Sequence, residues 1–256
     1  MTSAQPKRNN VSALEAVDVV LITLNSGRML EKCLESVYQN ISVNQIIVVD
    51  GGSSDRTLQI LNYFNELYHN VKIIKDSGNR ATARQKGIEN VTTEWFIFVD
   101  SDVVLCKNWH EKAKQHIDPH VGAVWGIEVW STIQNHTALK LFLWVTRGIF
   151  NLRGGTHDTL IRTKAIADIR IPKKLHVFED AYIKNWIQKN DYSVIACYIP
   201  FCLHFRPKDV WTLKGSMNLI IEAMKCGNPV LFVKLMIAYG FYAAYSISQI
   251  MSTNKT

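Results

Sequence analysis

The sequence predicts an α/β fold in which a mostly parallel central sheet carries helices on both faces. Three observations lead there. Across the first hundred residues, short apolar runs alternate with stretches whose apolar residues recur at helical spacing. The short runs are apolar along their whole length, as in strands buried on both faces. Each also ends in polar residues: Thr23 and Asn25, then Asp50, then Asp76, then Asp100 with Asp102. Sheets of this kind bind ligands outside the carboxyl ends of their strands, so the polar ends define an expected site along one edge.

The elements follow in order. "VDVVLITLN" (17–25) is the first buried strand, and "SGRMLEKCLESVYQ" (26–39) a helix with Met29, Leu30, Cys33, Leu34 and Val37 on one side. "NQIIVVD" (44–50) is the second strand. "SSDRTLQILNYFNELY" (53–68) opens with capping residues and continues as a helix. "VKIIK" (71–75), "RATARQKGIEN" (80–90) and "EWFIFVD" (94–100) read as strand, helix and strand. Beyond residue 105 the alternation loosens. Helices are expected at 108–117, 135–150 and 178–190, and strands at 121–130, 154–163 and 192–199. No internal repeat and no Gly-, Ser- or Pro-rich linker divides the chain.

Composition narrows the class. A chain of 256 residues, 47% hydrophobic and 20% charged, suits one large α/β domain or one domain with an appendage. The net charge of +7 favours anionic partners such as phosphorylated small molecules or anionic lipid. No nucleic-acid-binding motif is present, and no such partner is expected. Cysteines at 33, 106, 197, 202 and 226 are odd in number and lack a CxxC, which points to reduced thiols in a cytoplasmic protein. Residues 1–14 are polar and read as a disordered tail, 15–208 as the main domain, and 209–256 as a helical C-terminal segment. Within that segment "VLFVKLMIAYGFYAAYSISQIM" has the length of a membrane span but contains Lys234 and Gly240. It is compatible with contact at the cytoplasmic face of a membrane and with packing on the domain.

In "WFIFVDSDVVL" (95–105), Asp100 and Asp102 follow an apolar strand, where paired negative charge is costly. A hard divalent cation, Mn²⁺ or Mg²⁺, would compensate, since such ions bind through one or two carboxylates plus substrate phosphates. A strand-end pair that caps the following turn is the alternative.

With these motifs in order, the chain resembles the inverting family 2 glycosyltransferases of GT-A fold. "VVLITLN", "IIVVDGGSSDRT", "GNRATARQKGI", "WFIFVDSD", "GGTHDTLIRTKAI" and "FEDAYIKNWIQKNDYSV" match the family's segments over about residues 17–205. The second is the most specific. The resemblance implies that Thr23, Asn25, Asp50, Arg84, Asp100 and Ser101 hold a nucleotide-sugar donor, a UDP- or GDP-sugar. It implies that Asp102, His204 and Asp100 serve a metal, and that Gly154, Gly155, Thr156 and His157 line the side of a glycan or lipid-linked acceptor. Asp180 would be the catalytic base, with Glu179 beside it. Acidic residues also suit a helix N-terminus for electrostatic reasons alone. Arg147, Arg153 and Arg162 are candidates to meet an anionic acceptor, and Trp125, Trp130, Trp144 and Trp186 either stack on sugars or fill the core.

The chain departs from the family pattern at Gln85, where Asn is usual, and at Gly51–Gly52. It lacks the Gln-x-x-Arg-Trp motif of processive synthases, so transfer of a single sugar is expected. A sugar nucleotidyltransferase would carry a Gly-rich basic loop after strand one, and "TLNSGRMLEKC" has one glycine. A non-catalytic nucleotide-sugar-binding protein would be expected to lack Asp102 or Asp180.

Overall fold

The computed structural model describes residues 16–130, 140, 143–144, 155–175, 178–205, 233, 236–237 and 240. The described strands form one eight-stranded sheet, in the order β3-β2-β1-β4-β7-β6-β8-β5. Strands β1 (Val17–Thr23), β2 (Val43–Asp50), β3 (Val71–Lys75) and β4 (Trp95–Asp100) are parallel neighbours. Their register places Thr23 beside Asp50 and Ile22 beside Asp100, so the polar strand ends do share one edge.

Helices α1 (Leu30–Asn40), α2 (Thr57–Tyr68) and α3 (Arg80–Glu89) make the crossovers. α1 and α2 pack with one face of the sheet around Leu34, Val48, Leu61 and Ile97. α3 covers the other, where Ala81, Val20, Phe96 and Phe98 meet. α1 and α2 begin four residues later than expected. Ser26 accepts backbone bonds from Met29 and Leu30 in a preceding turn, and Asp55 caps Thr57. In α3 the expected boundaries hold within a residue, because Asn79 and Thr82 exchange side-chain and backbone bonds in a capping box.

The second half of the sheet is mixed. β7 (Asp158–Arg162) runs antiparallel to β4 and to β6 (Val121–Trp130). β8 (Ser193–His204) is parallel to β6, and the short β5 (Val103–Leu105), which the sequence pattern did not reveal, pairs antiparallel with β8. Helices α4 (Trp109–Lys114) and α5 (Glu179–Lys189) complete the described elements, with a 3₁₀ turn at Thr163–Ile166.

β8 extends past the expected end at residue 199 because its register shifts. Trp125 pairs with Ala196 but Ile127 pairs with Phe201, so three extra residues bulge from β8. An odd shift exchanges the two faces of a strand. Cys202 and His204 therefore share a face with Gly126 and Glu128, and His204 ends at the edge where Asp100 and Asp102 stand.

The expected N-terminal tail, the helix at 135–150 apart from residues 140 and 143–144, and most of the C-terminal segment lie outside the described residues. Among the described residues no helix is long and apolar enough to cross a membrane. Among the described residues Cys33, Cys106 and Cys202 are buried free thiols, in line with the expectation, whereas Cys197 is only half-buried; Cys226 lies outside the described residues.

Candidate active site

The β1 and β2 ends are tied together by one carboxylate. Asp50 accepts from Thr23 Oγ1 at 2.9 Å and from Ser53 Oγ at 2.6 Å on one oxygen. Its other oxygen accepts from the Gly52 and Ser53 amides at 3.0 and 2.9 Å. Gly52 reaches this turn with φ +93°, a left-handed conformation that explains glycine here. Asn25, also left-handed at φ 50°, accepts from the Ser54 amide at 2.9 Å and donates its own amide to Ser53 Oγ. The first and second loops thus form one rigid rim.

Burial works against the Asp50 charge, but these bonds hold its carboxyl below the usual range. A carboxylate with a depressed folded pKa adds stability above its unfolded value of about 3.9, and loses it as pH falls through the folded value. Asp50→Asn is therefore expected to lower the urea midpoint at pH 7 and to flatten its decline between pH 4 and pH 2.

Asp100 lies at the next strand end. Arg84, on α3 and only 2% exposed, donates from Nη2 to Asp100 Oδ1 at 2.7 Å and lies over the Phe98 ring at 4.8 Å. Burial opposes the Asp100 charge, yet Arg84, His204 and His157 outweigh it and bring the pKa down to about 2. The Nε of Arg84 stands 3.6 Å from Glu179 Oε1. Arg84 thus connects Asp100 at the strand end to the acidic start of α5. Glu179 and Asp180 are both buried there, and Phe178, at φ 71°, makes the turn into the helix. Asp180 Oδ1 accepts from the Ala181 amide at 2.8 Å. Lys184, one turn along, is buried: burial lowers its pKa and the Asp180 charge opposes that. Ser101, between the two aspartates, shares a hydrogen bond of 2.8 Å with Ser26.

Asp102, 33% exposed, faces His204, whose Nε2 is 3.0 Å from Asp102 Oδ1. One ligand atom each from Asp100, Asp102 and His204 lies within 4.8 Å of the others. Two ligands at right angles around an ion, each about 2.1 Å away, stand about 3.0 Å apart. The Asp102–His204 pair stands on this spacing, and two carboxylates with an imidazole are a donor set that suits Mg²⁺ or Mn²⁺.

Sequence reasoning missed what lies beneath. His204 Nδ1 pairs with Glu128 Oε2 at 2.6 Å. His157 pairs with Asp158, which also accepts from Trp109 Nε1 at 2.8 Å. Glu128 is the one charged residue in the otherwise apolar "VGAVWGIEVW", and that contrast was its available signal. Gly126 exists to admit Asp158: a Cβ there would lie 1.9 Å from Asp158 Oδ2. Gly126→Ala is expected to destabilise the fold by about 1–3 kcal/mol or more, read as a lower urea midpoint.

The acceptor-side candidates divide. Gly154 lies outside the described residues. Gly155, Thr156 and His157 are buried, and the His157 ring is 6.3 Å from that of His204. Arg162 corrects an expectation. It stands at the opposite end of β7, bonded to the carbonyls of Val121 and Asp118 and stacked on Trp95, because its register partner is the first residue of β4 rather than the last. Arg147 and Arg153 lie outside the described residues. Trp125 is buried in the core, Trp186 bonds the Ala167 carbonyl at 3.2 Å, and Trp144 is exposed. The unusual Gln85 bonds the backbone of both Ile169 and Ile171, joining α3 to that loop with a reach that Asn lacks.

Residues 18–164, more than half of the chain, match the family model for glycosyl transferase family 2. The chain belongs to that family. The relatives of this family 2 chain include glycosyltransferase GlyG of Streptococcus pneumoniae, 32% identical over 40% of this chain and 35% of that protein. Another is the poly(ribitol-phosphate) beta-glucosyltransferase of Bacillus spizizenii, 33% identical over 34% of this chain and 14% of that protein. The match with GlyG thus spans about a third of that relative's length. Among solved structures, a mannosyltransferase of Pyrobaculum calidifontis in complex with GDP-Man and Mn²⁺ superposes with a TM-score of 0.65. It is 16% identical, with 94% of this chain and 75% of that one covered. Glucosyl-3-phosphoglycerate synthase of Mycobacterium tuberculosis, in complex with Mn²⁺ and UDP, superposes at 0.56 with 13% identity, over 89% of this chain and 88% of that one. The fold is accordingly that of the GT-A glycosyltransferases.

Proposed function

We propose that this family 2 chain is a metal-dependent, inverting glycosyltransferase that moves one sugar from a UDP- or GDP-sugar to a glycan or lipid-linked acceptor. One observation carries the reading. Asp100, Asp102 and His204 converge at the carboxyl edge of the parallel strands, and Arg84 links Asp100 to Glu179, the neighbour of Asp180. A cation-competent edge and a candidate base thus belong to one connected site.

In this reading Asp102 and His204, with Asp100, would hold Mn²⁺ or Mg²⁺. A bound cation neutralises charge on the departing nucleoside diphosphate. Arg84 adds fixed positive charge that needs no rearrangement as the bond breaks. Asp50 acts by holding Thr23 and residues 52–53 in a rim beneath the nucleoside, since its oxygens are engaged by that turn. Asn25 lies on the same rim and reaches the nucleoside from it. Asp180 takes the proton of the acceptor hydroxyl as that oxygen attacks the anomeric carbon from the side opposite the leaving diphosphate, which inverts the centre. Glu179, paired with Arg84, keeps Asp180 oriented.

The test is calorimetric titration of the protein with a panel of UDP- and GDP-sugars, with Mn²⁺ or with a chelator. One nucleotide is expected to bind, and only with the metal. If none binds in either condition, the donor site as described is wrong. The coupled assay for sugar transfer then requires the anomeric configuration of the product to be opposite to that of the donor.

A further inference from the structure

The His204 imidazole is held from behind by a buried carboxylate, Glu128. Glu128 sits on β6, buried, in register with Cys202 of β8 and one same-face step from His204. Its Oε2 lies 2.6 Å from His204 Nδ1. An ionised carboxylate only accepts hydrogen bonds, so this contact requires the proton on Nδ1. In the neutral ring Nε2 then carries a lone pair. That lone pair faces Asp102 Oδ1 at 3.0 Å, and two acceptors at this distance need a positive bridge between them, either a second ring proton or a cation.

We propose that Glu128 is a positioning residue that locks His204 with Nε2 directed at a divalent cation shared with Asp102. This deepens the metal-dependent reading above and rests on it. Carboxylates behind a ligating histidine fix the tautomer and ring orientation and raise its basicity. Three features of the chain place this carboxylate. The bulge in β8 turns His204 onto the Glu128 face. Gly126, two residues earlier on that face, leaves room for Asp158. Cys202, in register with Glu128, and His157, whose ring lies 6.3 Å from that of His204, are both buried beside it.

The experiment uses the full chain and Mn²⁺ as the probe, with and without UDP or GDP. Mn²⁺ binding is followed by electron paramagnetic resonance, and the His204 ring nitrogens by ¹⁵N NMR of histidine-labelled protein without metal. Glu128→Ala is expected to weaken Mn²⁺ binding about 10- to 100-fold and to move the His204 proton off Nδ1. Glu128→Gln keeps an acceptor oxygen without the charge, so it should retain the Nδ1–H form and lose less affinity, which a purely structural role would not predict. Thermal unfolding identifies variants that fold, and where Glu128→Ala does not fold, Glu128→Gln decides between the outcomes. Wild-type protein that binds Mn²⁺ with variants that bind it equally, His204 unchanged, would overturn this inference and leave the metal site standing. Wild-type protein that binds no Mn²⁺ even with nucleotide would overturn the metal reading and this inference together.

Discussion

Asp180→Asn is expected to lower turnover by about 10²- to 10⁴-fold, the usual contribution of one general base, while donor affinity stays close to that of the parent protein. The substitution is nearly isosteric. Asn can keep the bond in which Asp180 Oδ1 accepts from the Ala181 amide, so the start of α5 should survive. What disappears is the charge, and with it the capacity to accept a proton. Lys184 shares the cost: its ammonium, already disfavoured by burial, loses the opposing Asp180 charge. The Lys184 pKa should therefore fall further in the variant. The measurement is initial rate at saturating donor, together with calorimetric donor binding and a thermal unfolding curve. A variant that folds, binds donor and turns over like its parent would remove Asp180 from the chemistry. Glu179→Gln should behave differently, since Glu179 faces Arg84 at 3.6 Å. Its loss should appear in donor binding as well as in rate.

How much of this was legible in the sequence depends on the kind of information needed. The parallel half was readable because "VVLI", "IIVV" and "FIFV" are apolar without interruption, and only strands covered on both faces tolerate that. The convergence of Thr23, Asp50 and Asp100 followed from topology alone, since parallel strands must end together. Glu128 and Asp158 were not readable in the same way. Their positions depend on antiparallel pairing with β7 and on a three-residue bulge in β8, and neither leaves a periodic trace. Arg162 was misjudged for the same reason. A strand that runs antiparallel carries its last residue away from the site, and the direction of β7 is not written in "DTLIR". The role of Asp50 was legible as a location but not as a set of bonds, because its partners come from a turn whose shape depends on Gly52.

Asp102→Ala is expected to abolish metal-dependent donor binding, a loss of more than about 100-fold, which is the upper end of what changes behind a metal ligand cause. It should do so with little change in unfolding midpoint. Asp102 is a third exposed and its partner His204 keeps Glu128, so removing the carboxylate leaves no buried charge without compensation. Asp100→Ala tests the contrast. Arg84 is buried, and among the described residues its Nε and Nη1 make no hydrogen bond, with Glu179 3.6 Å from Nε, so the bond from Nη2 to Asp100 bears directly on whether that charge is tolerated. Stripping it away should destabilise the fold by about 3–5 kcal/mol, as when one member of a buried pair is removed. The two aspartates are two residues apart in the chain, yet in the proposed reading their duties differ. Asp100 balances Arg84 within the fold as well as facing the cation, and Asp102 would serve the cation alone. Donor titration and thermal unfolding of both variants, side by side, separate these roles. Equal destabilisation by both, or metal-dependent binding that survives Asp102→Ala, would mean that the strand-end pair only caps its turn.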